Sequence, residues 1–157
     1  MSWAAANVNA DERRARSHLS RENDKADVEN KKCYEAAVRA HHRGTVEDLA
    51  YAAETYNALL LHPRLQTNAD NDNRARVSGI SPGNKRLRLL CLHNLGKLEE
   101  QTGKLTEALE HYAEAADLDG SRTQTWHRMG VVAVRLNKYR VARFAFEQGT
   151  NVVWLLG

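Results

Sequence analysis

The chain has 157 residues, 42% of them hydrophobic and 27% charged, with two cysteines and no run of apolar residues long enough to span a bilayer. Its 23 basic and 20 acidic side chains nearly cancel to +3, too little for a strong polyphosphate-binding field. The start, MSWAAANVNADERRAR, lacks a basic segment followed by an apolar one, and Cys33 and Cys91 form no CxxC pair, so a secreted disulfide scaffold, a zinc module and an integral membrane protein are not expected.

Residues 11–32, DERRARSHLSRENDKADVENKK, offer only Leu19 and Val28 as sizeable apolar side chains. They bury too little to offset ordering entropy, so residues 1–26 are expected to form a disordered or loosely helical tail ahead of a folded region over 27–157. Apolar residues then recur at helical spacing through Cys33, Ala36, Ala37 and Ala40, and again through Leu49, Ala52, Tyr56 and Leu59, separated by the turn HRGTVED. A polar insertion follows over 66–85, rich in Asn, Asp, Ser, Gly and Pro82.

Beyond it the pattern predicts helices over Leu87–Gln101, Leu105–Leu118, Thr123–Leu136 and Tyr139–Gly149. Gly103 and Gly120 are positioned to end helices in the left-handed conformation, Ser121 or Thr123 to cap the third helix, and Asn137 to turn into the fourth. No Val, Ile or Tyr alternation marks a strand. The expected fold class is all-α.

These helices repeat. Leu92-His-Asn-Leu95-Gly96 aligns with Trp126-His-Arg-Met129-Gly130 at an offset of 34, which also carries Gly103 to Asn137, Leu105 to Tyr139, Ala108 to Ala142, Tyr112 to Phe146 and Ala115 to Gly149. Small residues allow close approach of paired helices, and the aromatics at 112 and 146 are expected to fill the seams beside them. Period and register resemble the tetratricopeptide repeat, implying a solenoid of helical hairpins with repeats at about 30–62, 89–122 and 123–156, the first degenerate.

A narrower resemblance rests on LHNLGKLEEQTGKLTEALEHYAEAADLD, on VAVRL and on AR-AFEQG. From about Cys33 to Gly149 these segments look like the amino-terminal repeats of the calcineurin-binding cabin family, subunits of the histone-regulatory HIR or HIRA assembly. The resemblance implies a nuclear scaffold subunit of a replication-independent histone-chaperone complex. The alternative is a generic cytosolic adaptor or a heat-shock cochaperone. The terminal TNVVWLLG departs from the repeat pattern, and two readings stand: a last helical turn covering the final repeat, or a chain whose next repeat is missing.

No HExxH, GxSxG, GxxxxGK[ST] or GxGxxG occurs, so no enzyme, metal or cofactor is expected. Cys33 and Cys91 read as core residues, and Glu99-Glu100 with Glu107, Glu110 and Glu114 read as a solvated acidic surface. In tetratricopeptide arrays the first helix of each pair lines the concave face, which makes His93, Asn94, Lys97 and Gln101, then His127, Arg128, Val131 and Arg135, the expected protein-binding groove. Its charge suits an acidic peptide or acidic protein surface. Asn94 and Arg128 also fall on two of the five positions of the cochaperone carboxylate clamp, while Tyr34, Val38 and Gln124 break the rest. The string Asn84-Lys85-Arg86-Leu87-Arg88 lacks interleaved aromatics and reads as surface charge, so direct nucleic-acid binding is not expected.

Overall fold

A computed structural model describes residues 3–66 and 80–156, with side chains over 12–66 and 80–151. Among these residues the regular structure is entirely helical: α1 (Trp3–Arg43), α2 (Val46–Leu61), α3 (Pro82–Thr102), α4 (Leu105–Leu118), α5 (Thr123–Arg135) and α6 (Tyr139–Leu156). The chain divides into two compact units, Met1–Cys33 and Tyr34–Gly157.

In the first unit α1 already runs from Trp3, so of the two forms expected for the tail over 1–26, disordered or loosely helical, the structure has the helical one. Its composition of Ala, Arg, Glu and Lys favours helix without any core, and pairs one turn apart, His18 with Glu22 at 3.5 Å and Glu29 with Lys32 at 3.8 Å, lie along it. Leu19 and Val28 remain exposed. Low hydrophobicity says nothing against local helix, which needs no apolar burial.

In the second unit α1 turns into α2 through Gly44, at φ 74°, and Thr45. The Thr45 hydroxyl oxygen caps α2 by accepting from the Asp48 amide at 3.1 Å. Asp48 is in turn bound by Arg43 and by the Thr45 hydroxyl, which hold its carboxyl below the usual range. The long turn expected at HRGTVED is thus mostly helix. Ala37, Ala40, Ala52 and Tyr56 are completely buried.

Helix α3 begins at Pro82, five residues before the expected Leu87, because Ser81 caps it by accepting from the Asn84 amide at 3.2 Å and proline suits a first helical position. Residues 67–79 of the polar insertion lie outside the described part. Each helix then packs on its successor, α2 on α3, α3 on α4, α4 on α5 and α5 on α6. Leu92 and Leu89 meet Ala115, while Leu109, Tyr112 and Ala116 of α4 pack with Trp126, Met129 and Val132 of α5 and Ala142 and Ala145 of α6.

The turns follow the sequence in part. Gly103 (φ 82°) and Asn137 (φ 58°) adopt the left-handed conformation expected of them. Gly120 does not. Asp119 ends α4 in an extended conformation and its carboxylate accepts from the backbone amide of Ser121 at 3.1 Å, while the Gly120 carbonyl accepts from the Trp126 indole at 2.8 Å. Neither Ser121 nor Thr123 caps α5, whose N-cap is Arg122 without a side-chain bond. The backbone of 152–155 continues α6, and the side chains of Val152, Val153, Trp154 and Leu155 lie outside the described part.

The offset of 34 has a geometric counterpart. A Cβ at Gly96 would stand 3.0 Å from the Tyr112 ring, and one at Gly130 would stand 2.5 Å from the Phe146 ring. Tyr112 packs edge-on to His93 at 5.7 Å between centroids, as Phe146 packs beside His127 at 6.0 Å. The equivalence stops at burial. Tyr112 is fully enclosed by α5, whereas Phe146, expected to fill a seam, is 36% exposed.

Candidate functional site

The eight groove candidates come from α3 and α5, and the structure separates them. His93 is a correction: it is buried under Tyr112, with Nδ1 3.4 Å from the Thr125 hydroxyl, and cannot meet a partner. Burial, reinforced by Lys97, Arg122 and Arg128, pushes its pKa down to about 4, so the ring is neutral. The register placed it beside Asn94 on the first helix, yet its own side chain points into the α4–α5 seam.

Asn94 is half-buried and its amide donates to the Tyr34 hydroxyl at 2.8 Å, tying α3 to α1. His127 is exposed on the Phe146 ring and Val131 is half-buried. Lys97, Gln101, Arg128 and Arg135 do converge, lining a depression of ≈ 260 Å³ together with Glu100. His41 of α1 adjoins them, its pKa lowered by burial against a hydrogen bond with Gln101 and further lowered by Lys97.

Glu100 is the residue that sequence reasoning missed. Its side chain is only 13% exposed, with Oε2 accepting from the Tyr112 hydroxyl at 3.2 Å and from Arg128 Nη1 at 3.3 Å, and with Oε1 3.6 Å from Arg135 Nη1. Its neighbour Glu99 is buried too, 2.7 Å from His111 Nδ1. The acidic pair is therefore not the solvated surface expected of it. A signal was present, since Glu100 lies one helical turn beyond Gly96 and shares the stripe that faces Tyr112.

Arg88 is a second correction. Placed in the sequence as surface charge, it is 12% exposed and pairs with Glu114, while Nη1 donates to the carbonyls of Leu60 at 3.2 Å and Leu65 at 3.1 Å. It staples the end of α2 to α3 and α4, and Leu87 beside it is buried. Only Arg86 of that string is exposed, with Lys85 half-buried.

The depression is lined by charged and amide side chains. Burial pushes the Cys91 thiol up to about 12, too high for a nucleophile near neutral pH. Among the described residues no group of three or more His, Cys, Asp or Glu side chains is disposed to hold a metal ion, and no helix is long and apolar enough to cross a membrane. Both clamp positions are engaged internally, Asn94 by Tyr34 and Arg128 by Glu100.

The model of the CABIN1 N-terminal domain matches residues 29–154, which take in the depression and all of α2 to α5. The chain belongs to that family. A 65-residue stretch, 40% of the chain, is 35% identical to Calcineurin-binding protein 1 of Arabidopsis thaliana and spans 4% of that protein's length. Within this CABIN1 N-terminal domain member, the depression between α3 and α5 brings together four of the eight expected groove residues, Lys97, Gln101, Arg128 and Arg135.

Proposed function

We propose that the chain is a non-catalytic protein-interaction scaffold of tetratricopeptide type, acting in the nucleus as part of a HIRA-type assembly that deposits histones without replication. Membership of the CABIN1 N-terminal domain family is the observation that carries this reading. Support for the repeat comes from the paired contacts Gly96 with Tyr112 and Gly130 with Phe146 at the 34-residue offset. Lys97, Arg128 and Arg135, set against the single carboxylate of Glu100, favour an acidic peptide or acidic protein surface as the partner. The cochaperone alternative loses weight because its two matching positions already hold internal partners.

Affinity purification of the tagged chain from nuclear and from cytosolic extracts, read by mass spectrometry, tests the assignment. Recovery of HIRA-type subunits and histones from the nuclear fraction is expected. Recovery of heat-shock chaperones alone, lost on Arg128→Ala, would overturn it in favour of the cochaperone.

A further inference from the structure

Glu100 lines the depression that gathers the groove cations Lys97, Arg128 and Arg135. Its side chain is 13% exposed, while those of Arg128 and Arg135 at the rim are 39% and 46% exposed. The two guanidiniums approach its opposite oxygens at 3.3 and 3.6 Å, longer than the roughly 2.7–2.9 Å of a tight charge-assisted bond. Lys97 forms no ion pair among the described residues, and the Tyr112 hydroxyl anchors the carboxylate from below. Two guanidiniums thus reach one internal anion held from the core, and Lys97 adds a third cation to the rim.

Resting on the reading of this depression as a partner surface, we propose that Glu100 is a specificity-determining internal competitor for the acidic side chain of a partner peptide. Its carboxylate holds the arginine donors that an incoming Asp or Glu would use and repels that residue at short range. The cationic excess of the rim still attracts a segment carrying several carboxylates, whereas a lone acidic residue gains little over what Glu100 already supplies. The depression therefore selects for acidic runs.

Purified full chains, wild type and Glu100→Gln, are titrated against fluorescent octaglutamate, with octaglutamine as the neutral control. Removing one charge about 6 Å from the incoming carboxylate, at an effective dielectric between those of water and protein surface, predicts about tenfold tighter octaglutamate binding by Glu100→Gln and no change for octaglutamine. Equal or weaker octaglutamate binding by the variant, or none by either chain, overturns the proposal. The double variant Lys97→Gln with Arg135→Gln separates this from failure of the underlying reading: octaglutamate binding that survives it lies elsewhere on the chain. Should Glu100→Gln fold poorly, the wild type decides. The carboxyl ¹³C resonance of Glu100 is expected to move as octaglutamate saturates the protein, and a stationary resonance contradicts the proposal.

Discussion

Tyr56 and Tyr112 are both completely buried, and their hydroxyls have opposite fates. That of Tyr112 donates to Glu100, whereas that of Tyr56 makes no hydrogen bond of good geometry and has only the Asn94 amide, already engaged by Tyr34, close to it. An unpaired buried hydroxyl costs about 1–3 kcal/mol. Tyr112→Phe is therefore expected to lower the thermal midpoint, and Tyr56→Phe to change it by less. His93 supplies a pH dependence whose sign is fixed by its depressed pKa. As pH falls below 6.5 the unfolded chain takes up a proton that folded His93 refuses until about 4, so this contribution to stability is present above that window and is lost within it. Melting curves between pH 7 and 4 should fall less steeply in His93→Phe than in wild type. Identical slopes would place the proton elsewhere.

At the scale of elements, the difference between the two hairpins lies in what covers them. Tyr112→Ala should cost about 3–5 kcal/mol, as for other fully buried aromatics, and the half-open Phe146→Ala less than half of that. Denaturant titrations giving equal losses would refute the placement of α5 over Tyr112. Glu114→Ala removes the ion-pair partner of the nearly buried Arg88, whose Nε is already unpaired, and should cost about 1–2 kcal/mol rather than nothing. The helices, the left-handed Gly103 and Asn137, and the Gly96 and Gly130 close approaches were legible because each follows from spacing along one strand of sequence. The burial of His93, Glu100 and Arg88 was not, because polar side chains turn inward only when a partner from another helix awaits them: Thr125, Tyr112 and Glu114 respectively. Local propensity explains why the tail, expected to be disordered or loosely helical, forms helix, since helix formation there needs little burial.

For the molecule as a whole, the account makes the cationic rim between α3 and α5 the surface that meets a partner, and makes the rest of Tyr34–Gly157 the scaffold that holds it. Charge reversal at Arg128 would set a new carboxylate against Glu100 and confuse loss of binding with loss of fold. Neutralisation of Lys97 and of the more exposed Arg135 sets no new carboxylate against Glu100 and avoids this. The most direct measurement is quantitative recovery of nuclear partners by the wild-type chain and by Lys97→Gln with Arg135→Gln, each matched for thermal midpoint. The account predicts that recovery of histone-chaperone subunits falls several-fold in the double variant while the midpoint moves by only a few degrees. Undiminished recovery by the equally folded variant would contradict it.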